Sequence, residues 1–120
     1  MLILLIDDDP TMLDLGAFMI KRLGHEALLA NDGIKGETLA FTERPAVILL
    51  DVSMPLQDGF ETLLHLRSSG YKGQIIMVSA LKYTGNAERA KRLGADDYWT
   101  KPFETQALAA RLSAVAGVEH

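Results

Sequence analysis

The chain has 120 residues, 48% of them hydrophobic and 23% charged, which is the make-up of a folded globular domain and not of a disordered segment. Twelve Lys and Arg against sixteen Asp and Glu leave a formal charge of −4, a poor balance for holding nucleic acid or an anionic membrane through bulk charge. The absence of cysteine excludes disulfides, thiolate catalysis and cysteine-based zinc sites, and no apolar run approaches the roughly 20 residues that span a bilayer.

In chain order, the first element is the apolar run Leu2–Ile6, followed by Asp7, Asp8 and Asp9. Met1 leads straight into it, with no basic segment and no small-residue cleavage site, so no signal peptide is expected and the expected location is the cytoplasm. Asp9 before Pro10 reads as an N-cap with proline at the first helical position. Met12, Leu15, Met19 and Leu23 then mark a first helix, with Gly24 as its C-cap. A second strand, Glu26–Ala30, runs into Asn31, Asp32 and Gly33. Ile34, Thr38 and Phe41 mark a second helix that stops near Pro45.

The third run, Ala46–Leu50, is followed by Asp51, Val52, Ser53, Met54 and Pro55. Phe60, Leu63, Leu64 and Arg67 mark a third helix ending around Gly70. The fourth run, Gln74–Val78, is followed by Ser79, and Ala87, Ala90 and Leu93 mark a helix closed by Gly94. The fifth, Asp97–Thr100, is followed by Lys101 and Pro102, and Leu108, Leu112 and Val115 mark the last helix. The runs LILLI, AVILL and IIMV are apolar throughout, as in strands buried on both faces of a parallel sheet. Five alternating βα units predict an α/β fold, one domain over residues 1–120, with an open sheet and helices on both faces.

In such sheets ligands bind outside the carboxyl ends of the strands. Asp7, Asp8, Asp51, Ser79 and Lys101 should therefore converge on one edge. Taken singly, each has an ordinary reading: Asp9 as a helix cap, Asp7 or Asp8 as a turn residue, Ser79 as a turn hydroxyl, Lys101 as a solvated surface lysine. Their convergence changes the reading. Three crowded carboxylates repel, and a divalent cation removes the conflict. All-oxygen ligands favour Mg²⁺, with Mn²⁺ as a substitute, over zinc. A lysine and a hydroxyl beside such a metal point to phosphoryl chemistry, in which Asp51 is placed to act as a carboxylate nucleophile. His25, His65 and His120 form no ligand pattern.

The stretches LLIDDDP, VILLDVSMPLQDGFE, IIMVSA and GADDYWTKPF resemble the receiver domain of two-component response regulators, collinearly from Met1 to about Ala116. The resemblance implies a flavodoxin-like doubly wound (βα)5 domain with strand order 2-1-3-4-5, an order that a member of this family illustrates. It implies that Asp51 is the phosphoacceptor. Asp8 is then a direct Mg²⁺ ligand, with Asp7 acting through water and Ser53 through its backbone carbonyl. Ser79 is then the switch hydroxyl, Lys101 the lysine paired with the phosphoryl group, and Tyr98 the aromatic that reports the active state. The Lys101–Pro102 peptide is expected to be cis. Gly59 is expected to need an unusual φ. Trp99 stands where the family commonly has an aliphatic residue. Ser53 and Leu81, two residues after Asp51 and Ser79, occupy variable positions that tune phosphoryl lifetime.

The implied partner is a sensor histidine kinase or a histidine phosphotransfer protein, with no direct binding of nucleic acid and no membrane. The implied role is signalling, in which the protein is not an enzyme beyond its own phosphotransfer and dephosphorylation. Arg111, Asp96 and Asp97 resemble the charged dimerisation face of winged-helix transcriptional regulators, built from the fourth helix, fifth strand and fifth helix. A solvated helix face is the other reading of these residues. Two alternatives remain from other classes. A haloacid-dehalogenase-like phosphatase would use Asp7, Asp9, Ser79 and Lys101, but leaves Asp51 without a task. A pseudo-receiver would be an interaction module that never takes phosphate.

Overall fold

In the computed structural model of the chain, residues 1–80, 84–101 and 103–118 are described. The strands are β1 (Leu2–Ile6), β2 (Glu26–Ala30), β3 (Val47–Asp51), β4 (Gln74–Ser79) and β5 (Asp97–Thr100). The helices are α1 (Pro10–Arg22), α2 (Gly33–Glu43), α3 (Gly59–Ser68), α4 (Thr84–Arg92) and α5 (Thr105–Val118). All strand pairs are parallel, in the order β2-β1-β3-β4-β5.

Alternation along the strands divides the core. Ile3, Leu5, Val47, Leu49, Ile76 and Val78 pack with Met19 and Ile20 of α1 and Leu108 and Leu112 of α5. Leu4, Ile6, Ile48, Leu50, Ile75 and Met77 pack with Ala40 of α2, Phe60, Leu63 and Leu66 of α3 and Ala90 of α4. The chain steps from β1 outward to β2, then returns across the sheet to β3. Crossovers of one hand must then place α1 and α2 on opposite faces. The reversal opens a crevice between the carboxyl ends of β1 and β3, where Asp7 and Asp51 lie.

Asp9, Asp32 and Asp58 cap α1, α2 and α3, accepting from the backbone N–H groups of Thr11, Lys35 and Glu61 at 3.0, 2.7 and 2.9 Å. Gly24, Gly70 and Gly94, just beyond helix ends, have φ of 87, 95 and 106°.

Helix α2 presents a different face from the one its large apolar residues predict, and α1 departs at Leu15, while its Met19 is buried and its Leu23 packs on the core as predicted. Ile34 and Phe41 of α2 are 57% and 41% exposed, and Thr38 is exposed as well. The buried residues of α2 are Gly33, Gly36 and Ala40. In α1, Leu15 is 47% exposed while Gly16, Ala17, Met19 and Ile20 are buried. The reason is close approach: a Cβ on Gly36 would lie 2.3 Å from Ile6 Cδ1, and one on Gly16 would lie 2.3 Å from Leu5 Cδ2.

The expectation of an unusual φ at Gly59 is corrected. Gly59 opens α3 and is not among the described glycines of positive φ. A Cβ there would lie 2.1 Å from the backbone oxygen of Asp51, so glycine is required for space. Trp99 stacks at a tilt on Phe103, with ring centroids 5.4 Å apart, and its Nε1 donates to Asp97.

Candidate functional site

Asp51 is the last residue of β3, one step further than the apolar run predicts, because the ladder to β4 continues through Asp51 and Val78. Asp7 follows β1 directly, and its backbone N–H donates to Ala30 O at 3.1 Å. Extension of the sheet thus carries both carboxylates into the crevice. They are 1% and 5% exposed, against an exposed Asp8. One oxygen from each of Asp7, Asp8 and Asp51 falls within a group whose members all lie within 4.8 Å of one another.

The Lys101 ammonium donates to Asp7 Oδ2 at 2.8 Å and to Asp51 Oδ1 at 3.1 Å. Asp7 Oδ1 also accepts from the Asp9 backbone N–H at 2.9 Å. Burial, and then the charge of Asp7, push the Asp51 carboxyl up to about 6, while Lys101 works against them. Burial would lower the pKa of Lys101, but its hydrogen bond to Asp7 and the charge of Asp51 outweigh that, and the net direction is upward. Lys101 therefore stays a cation and partly neutralises two buried carboxylates.

Ser79 ends β4 and is 2% exposed, and its carbonyl accepts from the Lys101 backbone N–H at 2.7 Å. Tyr98 lies on neighbouring β5, half-buried and two residues before the Thr100 that pairs with Ser79. Ser53 is exposed on the loop after β3. With Asp8, Met54, Pro55, Asp58 and Arg89 it lines an open cleft of about 530 Å³. Pro102, and with it the expected cis peptide, lies outside the described residues, as do Leu81 and His120.

Two residues of this region were not singled out by sequence reasoning. Arg89 of α4 stands over the Phe60 ring, 4.2 Å from its centroid. Gln57 donates through Nε2 to Glu37 Oε2 at 2.6 Å and to Thr62 Oγ1 at 2.9 Å. The Arg89–Phe60 and Gln57–Glu37 contacts join residues distant in sequence, and no local pattern announces them.

The chemistry of the cluster fits a hard divalent cation, with oxygen donors only, two of them on buried carboxylates, and an open cleft on the Asp8 side. The profile of a family described as "Response regulator receiver domain" matches residues 3–113. The chain is 38% identical over 115 residues to the DNA-binding dual master transcriptional regulator RpaA of Synechocystis sp., covering 94% of this chain and 48% of that protein. It is 35% identical over 113 residues to the alkaline phosphatase synthesis transcriptional regulatory protein PhoP of Bacillus subtilis, covering 94% and 47%. The chain thus spans about half the length of these curated relatives. Among solved structures, the Francisella response regulator 1452 receiver domain superposes with a TM-score of 0.91 at 30% identity, covering 99% of this chain and 98% of that one. The BeF3-activated N-terminal receiver domain of Klebsiella pneumoniae RstA gives 0.88 at 27% identity, covering 95% and 97%.

Proposed function

Because this chain belongs to the receiver-domain family of response regulators, we propose that it is a phosphorylation-activated switch of a two-component system. It accepts a phosphoryl group on Asp51 from a histidine of a sensor kinase or a phosphotransfer protein. The observation that carries this reading is the buried Asp51 carboxylate held beside Asp7 and Lys101 at one edge of the sheet.

At neutral pH Asp51 is mostly ionised, since its raised pKa is still about 6. An Asp51 oxygen attacks phosphorus, the bond from phosphorus to the donor's imidazole nitrogen breaks, and that nitrogen keeps the electron pair. Lys101 leaves its contact with Asp51 and pairs with a phosphoryl oxygen, while the Ser79 hydroxyl moves toward another. Asp8, Asp51, the Ser53 carbonyl and, through water, Asp7 would hold Mg²⁺. When bound, Mg²⁺ supplies neutralising charge for the carboxylates and the phosphoryl oxygens. Hydrolysis of the acyl phosphate resets the switch, and the protein acts as catalyst only on itself.

Ser79 and Tyr98 would pass the change to the face formed by α4, β5 and α5. The reading places the protein in the cytoplasm. No helix among the described residues is long and apolar enough to cross a membrane. The same face would form a homodimer once phosphorylated. In the monomer its charges are partly engaged already: Arg111 pairs with Asp97, and Arg67 with Asp96. Sedimentation of the beryllofluoride complex tests the dimer, and a monomer mass at high concentration would remove it.

The test of the acceptor is intact-mass analysis after treatment with acetyl phosphate and Mg²⁺. One added phosphoryl group is expected on the wild type and none on Asp51→Asn. If Asp51→Asn is labelled at wild-type yield, the acceptor is another residue. If the wild type takes no label, the pseudo-receiver reading holds instead.

A further inference from the structure

The loop from Val52 to Asp58 carries Ser53 and joins β3 to α3. Its internal geometry is unusual. Leu56 is 91% exposed at φ 70°, a left-handed conformation that a leucine adopts only when its surroundings enforce it. The adjoining residue, Gln57, supplies the tie. Its Nε2 donates to Glu37 Oε2 at 2.6 Å on α2 and to Thr62 Oγ1 at 2.9 Å on α3. Its backbone N–H donates to Pro55 O at 2.8 Å. The Thr62 hydroxyl, fully buried, donates on to Asp58 O at 3.0 Å. Glu37 Oε2 also contacts His65 Nδ1 at 3.2 Å.

A separate observation points the same way. A Cβ on Gly33 would lie 2.2 Å from Thr62 Oγ1 and 2.9 Å from Gln57 Nε2. The start of α2 is thus pressed against this network, and a larger residue there would push it apart. The loop is pinned at its other end by the Gly59 backbone N–H, which donates to Val52 O at 2.8 Å. Between these two fixed points lies Ser53.

We propose that Gln57, held by Glu37, is a positioning residue that fixes the loop after β3 and thereby sets the affinity of the acidic cluster for its divalent cation. The inference rests on the Mg²⁺ reading of Asp7, Asp8 and Asp51. Gln57 belongs neither to the acidic cluster nor to the lining of the cleft beside it. It acts through the backbone that presents the Ser53 carbonyl, so its removal should cost about tenfold in affinity, the low end for groups that orient metal ligands.

The experiment measures Mg²⁺ binding by calorimetry and loop amide hydrogen exchange in EDTA. It compares the wild type, Gln57→Leu, Gln57→Glu, and Gln57→Glu combined with Glu37→Gln. In Gln57→Leu the ties are absent. In Gln57→Glu two carboxylates face each other, and the double variant restores one donor and one acceptor with the roles exchanged. Both single variants are expected to bind Mg²⁺ about tenfold more weakly and to exchange faster at residues 52–59. The double variant should recover to within about threefold of the wild type. If the single variants lose melting temperature but keep wild-type Mg²⁺ affinity, the network is only structural and the proposal is overturned. A double variant as weak as Gln57→Glu overturns the Gln57–Glu37 pairing as its basis. Wild-type protein that binds no Mg²⁺ overturns the metal reading itself, a result distinct from either of these.

Discussion

At Asp51, burial and the neighbouring Asp7 hold the carboxyl near 6 against an ordinary 3.8, despite the Lys101 contact. The folded value exceeds the unfolded one. Between about pH 4 and pH 6 the native state therefore keeps a proton that the unfolded chain has released, and stability falls as pH rises through that window. Above it the ionised carboxylate is a constant destabilising term. In EDTA, Asp51→Asn should melt higher than the wild type at pH 7.5, by the equivalent of about 1–2 kcal/mol, and the gain should shrink toward pH 4. A gain unchanged from pH 4 to pH 8 would exclude this cause. At Gly59, the required Cβ would meet the backbone of Asp51 and Val52, which cannot rotate away as a side chain can. Gly59→Ala should lose about 2 kcal/mol or more in urea unfolding despite alanine's better helix propensity, and a neutral result would mean that α3 shifts freely against β3. The importance of Gly59 was legible in the sequence, in the run from Met54 to Gly59, but its cause was not. A glycine in a loop reads as a special φ, and only the tertiary approach of two backbones distinguishes space from torsion.

The three inner strands β1, β3 and β4 were legible because their burial is nearly complete, whereas the edge strands β2 and β5 are only partly buried. A strand covered on both faces has to be apolar at every position, as LILLI and IIMV are. Helix existence was legible from periodicity, from the Asp9 cap and from Gly24, Gly70 and Gly94 at helix ends; Asp32 and Asp58 also cap helices but were not read as caps. Helix facing was legible in part: Met19 of α1, Phe60 and Leu63 of α3, Ala90 of α4 and Leu108 and Leu112 of α5 are buried as read, whereas α2 and Leu15 of α1 are not. In α1 and α2 the residues nearest the sheet are small, because Gly16 and Gly36 let the helices sit against Leu5 and Ile6. The largest apolar residues, Phe18, Ile34 and Phe41, are left outside at 60%, 57% and 41% exposure. Hydrophobic periodicity weighs size and polarity together, so it selects the wrong stripe wherever close packing demands glycine and alanine. The contrast can be measured in α2. Phe41→Ser, on the outer face, should change stability by no more than about 0.5 kcal/mol. Gly36→Val should destabilise by about 1–3 kcal/mol, since its branches would enter the space filled by Ile6. The reverse ranking in denaturant melts would place the large residues of α2 on the core.

Across the whole molecule, the fold joins the acidic crevice to a distant surface through two adjacent strands. Lys101 bridges Asp7 and Asp51 through its side chain, while its backbone N–H is bonded to Ser79 O, so one residue senses the crevice and holds the ends of β4 and β5 together. Tyr98, on the same β5, packs against the side of the sheet that α3 and α4 cover. On the proposed reading, a phosphoryl group on Asp51 would replace a single carboxylate charge by a larger anionic group, and Lys101 and Ser79 would re-pair around it. That would be a local charge event of the kind that biases a two-state element. Beryllofluoride with Mg²⁺ mimics the charge without turnover. It should move amide resonances in the loops after β1 and β3, and also at Tyr98 and across Leu108–Val115, which no ligand touches directly. Lys101→Met gives the control: its resonances near Asp8 and Asp51 should still respond, while those of Leu108–Val115 should move much less, because the link between crevice and β5 has been cut. Equal distant shifts in the wild type and in Lys101→Met would assign the transmission to another route, and shifts confined to the two loops in both would leave the α4, β5 and α5 face outside the switch.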